Sequence, residues 1–351
     1  MSIRTVELRP YRLPLRRPWQ SARGTLQSRL GWLVVLCDAS LCGYGDCAPC
    51  PAAGTEPLRR ARQALEGLRK ALIGLTHEDA MARIRAVDAR HAPAARCALE
   101  TALLDLRARR AGLPLRRLYV ATARDEVPVN AALGALDGTA TQRARAAVSA
   151  GYRVLKIKVG LANVAVDLTR LRALADALPP QVRLRLDANG AWSLAEAMQF
   201  IEGLAGLPID ALEEPLRVPD WQALRHLQAD CPFPLALDES AGAHLSGSDL
   251  ADYPVRRLVL KPAAVGGPSA TRDIAARAAA VGVEVVLTSV VESVAGLWPT
   301  LQLAATLPSR LAHGLATHTW FDADLGPGPM VSAGAISLPP SPGSGYAPFA
   351  A

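Results

Sequence analysis

From about residue 126 the chain alternates short runs of β-branched and apolar residues with longer stretches whose apolar positions recur every three to four residues. The short runs predict strands at 127–134, 153–159, 182–187, 209–213, 234–239, 256–261, 284–289 and 311–317. The stretches between them, such as 164–178 and 194–204, carry the spacing of amphipathic helices. Parallel strands need a crossover between them, and a helix supplies it. Eight such units in succession therefore predict an α/β fold, a (β/α)8-type barrel of the modified TIM kind, with abbreviated closing units.

The first 125 residues follow another rhythm. Strands are predicted at 3–13, 32–38 and 42–48, followed by helices near 58–72, 77–86 and 94–111. The expected organisation is an N-terminal α+β capping domain over 1–125 and a catalytic barrel over 126–325. The Gly-, Pro- and Ser-rich tail, 326–351, is expected to pack back and complete the capping domain.

Composition narrows the class. Half of the 351 residues are hydrophobic and 20% are charged, which excludes a disordered chain. No apolar run approaches the roughly 20 residues that span a bilayer, and the N-terminus carries no signal-peptide core. A soluble cytoplasmic protein with no membrane partner is expected. The net charge of +7 comes from arginines scattered over predicted helices, without a basic block interleaved with aromatics or a nucleic-acid-binding motif. Its expected partner is instead an anionic small molecule, a carboxylate, drawn in by the positive field. Assembly into a homo-oligomer stays open. Of the six cysteines only Cys47 and Cys50 have tight spacing, so no zinc site is expected, and all six are read as reduced thiols.

Candidate chemistry sits at the ends of consecutive strands. The second ends in Lys156-Ile-Lys158, the third in Asp187-Ala-Asn189, the fourth in Glu213-Glu-Pro, the fifth in Asp238-Glu-Ser and the sixth in Lys261-Pro. In such a barrel these ends form one rim, where active sites are built. Any one acid there could simply cap the helix that follows. Three together, Asp187, Glu213 and Asp238, would repel one another unless a hard divalent cation joined them, and oxygen ligands suit Mg²⁺, with Mn²⁺ a possible substitute. Lys156 and Lys158 share a strand face, where like charges lower each other's proton affinity. Three of the four lysines in the chain lie at this rim, and arginine could not replace them as bases. Lysine bases facing Mg²⁺ suit removal of a proton next to a carboxylate, with an enediolate stabilised by the metal.

These motifs resemble the enolase superfamily, in its muconate-cycloisomerase-like subgroup. Gly43-Tyr-Gly-Asp46 and the stretch 98–115 are similar to that family's capping domain. Within the subgroup the run from Arg185 to Trp192, Lys261-Pro262 with Gly266-Gly267, and Ser289 to Ser293 are most similar to o-succinylbenzoate synthases of menaquinone biosynthesis. The resemblance implies a hydro-lyase that dehydrates SHCHC (2-succinyl-6-hydroxy-2,4-cyclohexadiene-1-carboxylate) in syn fashion. It casts Lys158 as the base, Lys261 as the cation across the ring, and Lys156 as the residue that tunes Lys158. It further implies substrate contacts by Arg185, Asn189, Ser289, Gly266 and Gly267, and by Trp19 and Ser21 in a capping loop. Relatives acting as dipeptide epimerases, N-acylamino acid racemases or cycloisomerases use the same lysines and metal site. Asp322-Ala-Asp324 resembles the acid pair with which the epimerases grip an ammonium group, or is a polar exit loop. A non-catalytic binding protein is the third reading, which the intact lysine set argues against.

Overall fold

In the computed structural model the described residues are 2–21, 24–241, 245 and 250–349, with the backbone alone for 17, 19–21, 24 and 25. The chain opens with strands β1 (Thr5–Ser21), β2 (Gly24–Cys37) and β3 (Cys42–Cys47), an antiparallel sheet in that order. Helices α1 (Leu58–Leu72), α2 (His77–Arg85) and α3 (Pro93–Arg110) cover it, and α4 (Leu115–Tyr119) follows. Helix α3 lies so close to β3 that a Cβ on Gly43 or Gly45 would fall within 2.1 Å of the α3 backbone, so the glycines permit the approach. Both β1 and β2 run well past the segments that alternation predicts, forming a long hairpin that reaches towards the barrel.

Strands β4 (Glu126–Pro128) and β5 (Ala131–Ala135) come next, split at Val129 and Asn130, where one continuous strand was expected. Then follow α5 (Ala140–Ser149), β6 (Val154–Lys158), α6 (Val164–Asp176), β7 (Arg183–Asp187), α7 (Leu194–Gly203), β8 (Ile209–Glu213) and α8 (Trp221–Asp230). The chain continues through β9 (Leu235–Leu237), β10 (Arg257–Leu260), α9 (Pro262–Val265), α10 (Pro268–Ala280), β11 (Glu284–Leu287) and α11 (Val294–Ala304). Strands β5 to β11 form a seven-stranded parallel sheet in sequence order. The eighth expected strand is reduced to bridges at His313, to Val129, and Gly314, to Thr288. The buried His313 imidazole accepts a hydrogen bond from the Leu287 backbone N–H at 2.9 Å, and desolvation lowers its pKa to about 3, so it stays neutral.

Sequence alternation explains how the barrel carries charge. On β6, Leu155 and Ile157 are fully buried against the helix layer, which turns Lys156 and Lys158 to the opposite face. Strands β12 (Val331–Ser332) and β13 (Ala335–Ser337) in the tail pair with β4, while Ser344 N–H donates to Asp105 and Arg109 donates to the Tyr346 carbonyl. The tail thus touches both the floor of the barrel and α3. Cys37 and Cys42 form a disulfide across the β2–β3 turn, which corrects the expectation of six reduced thiols: their register as directly opposed hairpin neighbours brings the sulfurs together. Cys47, Cys50, Cys97 and Cys231 are buried thiols. Among the described residues no helix is long and apolar enough to cross a membrane.

Candidate active site

A cavity of about 720 Å³ opens at the C-terminal ends of the parallel strands, beneath the β1–β2 hairpin. Lys156, Lys158, Asp187, Asn189, Asp238 and Lys261 all line it, from β6, β7, β9 and β10 or just past their ends. Ser289, beyond β11, lines the cavity too, and its hydroxyl accepts from Val291 N–H at 3.0 Å and lies 3.1 Å from that of Thr317. Parallel pairing sets Lys158 beside Asp187 and Asp187 beside Glu213.

The charges interlock. Lys156 Nζ hydrogen-bonds the Glu213 carboxylate and lies 3.0 Å from Asp187 Oδ2. Lys261 Nζ hydrogen-bonds Asp238, with Glu239 at 3.9 Å. Burial opposes the charge of each of these lysines, but the carboxylates outweigh it and hold both pKa values above the ordinary lysine value: Asp187, Glu213 and Asp238 for Lys156, Asp238 and Glu239 for Lys261. Lys158 goes the other way. Burial lowers its pKa, Lys156 adds to the effect, and Asp187 only partly offsets it. Burial raises the Glu213 carboxyl.

The three acids were expected to converge on one point. Instead, among the described residues no three His, Cys, Asp or Glu side chains gather as a ready coordination set, because the two ammonium groups stand against the carboxylates. The donor set still fits a divalent cation. It consists of three carboxylate side chains at the ends of neighbouring strands, an all-oxygen set of the kind hard divalent cations take, with Asp187 and Asp238 facing the cavity. Asp187, Glu213 and Asp238 are the residues that would hold Mg²⁺.

Other expected contacts lie elsewhere. Arg185 is 1% exposed and fills the barrel interior, donating to Asp210 at 2.8 Å and to the Ala312 carbonyl at 2.9 Å, and it is not among the described lining residues. Gly266 and Gly267 pack against the capping domain: a Cβ on Gly266 would meet Ala89 at 2.5 Å, and one on Gly267 would meet Glu100 at 2.6 Å. The side chains of Trp19 and Ser21 lie outside the described part. Asp324 accepts from Val294 N–H at 3.0 Å and Leu325 N–H at 2.7 Å, and Asp322 is exposed, so neither acid is among the described lining residues.

The structure adds residues that strand-end reading passed over. Arg16 from β1, Arg143 from α5 and Arg217 beyond β8 line the cavity. The only signal in the sequence was basic charge, which is common throughout this chain. Backbone strain also collects here. Asn189, Glu214 and Val291 adopt φ of 46°, 45° and 61°, and Val291, being β-branched, pays most for that conformation.

Comparison with known proteins agrees with the architecture. The profile of the "Mandelate racemase / muconate lactonizing enzyme, N-terminal domain" family matches residues 3–119, and that of "Enolase C-terminal domain-like" proteins matches 139–349. A hydrophobic dipeptide epimerase of Enterococcus faecalis is 31% identical over 68% of this chain and 68% of its own length. An o-succinylbenzoate synthase of Thermobifida fusca is 33% identical over 61% of this chain and 66% of its own. Among solved structures, the dipeptide epimerase of Enterococcus faecalis V583 complexed with Mg and dipeptide L-Leu-L-Tyr superposes with a TM-score of 0.89 at 26% identity, covering 98% of this chain and 99% of that one. Both halves of the fold are matched in order along one polypeptide, and the chain belongs to the enolase superfamily.

Proposed function

We propose that this protein is an o-succinylbenzoate synthase, removing water from SHCHC. The observation that carries the reading is the placement of Lys158 and Lys261 on β6 and β10, facing one cavity from opposite walls, with Asp187 and Asp238 between them in strand order. Lys158 takes the proton from the carbon bearing the ring carboxylate. The electron pair left behind expels the ring hydroxyl, which regains that proton from Lys158 and departs as water, leaving an aromatic ring. Lys261, kept protonated by Asp238 and Glu239, places positive charge across the ring. Lys156 keeps its charge beside Lys158 and so favours the neutral form of the base. A bound divalent cation supplies positive charge where the substrate carboxylate gains electron density.

Dehydration is favoured over dipeptide epimerisation by Asp324, whose carboxylate caps the Val294 and Leu325 N–H groups, and by the exposed Asp322. A second reading, N-acylamino acid racemisation, draws on the same opposed lysines, since racemisation needs a base on each face. Ultraviolet detection of SHCHC loss with Mg²⁺ tests the first. Absence of turnover, together with exchange of solvent deuterium into the α-position of N-acylamino acids, would replace it by the second.

A further inference from the structure

Asp187 and Glu213 are the last residues of β7 and β8, and Asp238 lies one residue past β9. Ladder pairing stops at these ends, so the spacing of the three carboxylates depends on the turns that follow. Glu214, directly after Glu213 and 6% exposed, ties those turns together. Its backbone N–H donates to the Ala236 carbonyl of β9 at 3.0 Å. Its backbone carbonyl accepts from Gly190 N–H, in the turn after Asp187, at 2.7 Å. The side chain reaches the turn after β9. A single oxygen, Oε1, accepts from Asp238 N–H at 2.6 Å, from Ser240 N–H at 3.0 Å and from the Ser240 hydroxyl at 2.8 Å.

The backbone is bent to allow this. In a regular strand Glu214 would point to the face opposite Glu213. Its φ of 45° lies instead in the left-handed region, which a residue with a Cβ enters at a cost, and Glu214 lines the cavity with Asp187 and Asp238. We propose that Glu214 is a positioning residue for the divalent cation: by accepting hydrogen bonds it fixes Asp238 relative to Asp187 and Glu213, and so sets the spacing of the carboxylates before a cation binds. Three donors converging on one atom require an oxygen at that place, which an amide carbonyl supplies as a carboxylate does. The proposal rests on the reading of Asp187, Glu213 and Asp238 as the residues that would hold Mg²⁺, but does not depend on which reaction follows.

The test is titration calorimetry of Mg²⁺ into the chelator-treated full chain, at a temperature where circular dichroism shows every variant folded. Glu214→Ala and Glu214→Gly should each weaken Mg²⁺ binding about 10- to 100-fold. Glycine enters the left-handed region freely, so Glu214→Gly separates loss of the side chain from backbone strain. Glu214→Gln keeps the accepting oxygen and should bind Mg²⁺ within about threefold of the wild type. Ser240→Ala removes one of the three donors and should weaken binding less than Glu214→Ala. Arg29→Ala, which breaks bonds of the capping sheet, controls for lost stability and should leave the affinity unchanged. Wild-type affinity in Glu214→Ala and Glu214→Gly, a loss in Glu214→Gln as large as in Glu214→Ala, or an equal loss in Arg29→Ala would each overturn the proposal. Asp187→Asn distinguishes the two levels of the reading. If it leaves Mg²⁺ affinity unchanged, the ligand assignment fails and the proposal falls with it. If it weakens binding while Glu214→Ala does not, the proposal alone fails. Glu214-dependent Mg²⁺ binding without turnover of SHCHC would support the positioning role and refute only the reaction proposed above.

Discussion

Arg29 Nε donates to the Val291 carbonyl at 2.9 Å, joining the capping sheet to the turn after β11 across 262 residues of sequence. The same guanidinium, 3% exposed, donates to the carbonyls of Ala48 and Pro49 at 2.6 and 3.1 Å. One buried cation thus holds three carbonyls and steadies the left-handed backbone of Val291. Beside it, Asp46 accepts from Tyr11 and from both the N–H and hydroxyl of Ser293. Arg29→Ala strands these acceptors and should cost about 3 kcal/mol, or ~4 °C in Tm for a chain of this size. Differential scanning calorimetry checks it. An unchanged Tm would mean that cap and barrel are held by other contacts.

Lys158→Ala should lower kcat for SHCHC by about 10³-fold or more while leaving circular dichroism and Mg²⁺ binding close to the wild type, since the side chain lines the cavity and lies on the face of β6 opposite the packed Leu155 and Ile157. Wild-type turnover in this variant would remove Lys158 from the proton transfer.

Chelation should abolish turnover, and added Mg²⁺ should restore it. Mg²⁺ at about 100-fold its Kd should also raise the stability of the wild type by ~2.7 kcal/mol through mass action. Asp187→Asn should weaken that thermal shift as well as activity. An unaltered shift in the variant would place the cation away from Asp187.

Glu292 supplies a test of pH dependence. It is 5% exposed at the cap–barrel junction, its Oε2 has no hydrogen-bond partner, and burial pushes its pKa up to about 7. The folded state therefore holds the proton more tightly than the unfolded chain, whose glutamate titrates near its ordinary value of 4.5. The resulting stability is fully present below that value and lost as pH rises through about 7. Glu292→Gln stays neutral, so its stability should match the wild type near pH 5 and exceed it near pH 8.5 by on the order of 3 kcal/mol, read as a higher Tm at the higher pH. Parallel Tm curves at the two pH values would refute this assignment.

The cysteine arrangement has a direct chemical readout. Unfolded without reductant, the protein should show four reactive thiols, from Cys47, Cys50, Cys97 and Cys231. After reduction all six should react. Six without reductant would place the Cys37–Cys42 pair in the dithiol state.

What the sequence determined by itself is what depends on local period and on position along a strand. The runs ending in Lys156-Ile-Lys158, Asp187, Glu213, Asp238 and Lys261 announce parallel strands with reactive ends, because alternation assigns each side chain a face and the βα rhythm assigns each end a rim. Other features follow from long-range packing, which no local pattern encodes. The eighth strand looks as apolar as the rest, yet it survives as two bridges because the His313 side chain takes the Leu287 N–H that a longer strand would have paired. Arg185 reads like a rim residue, but it lies two positions below Asp187 on the same face, deep enough for Asp210 and the Ala312 carbonyl to claim it. Gly266 and Gly267 read like a ligand loop, and close approach to the capping domain explains them. Arg16 is one arginine among 35 until β1 pairs with the segment at Phe321 and sets it in the cavity. Whether a charge caps a helix, fills a barrel or meets a substrate was decided only when distant segments came within hydrogen-bond reach.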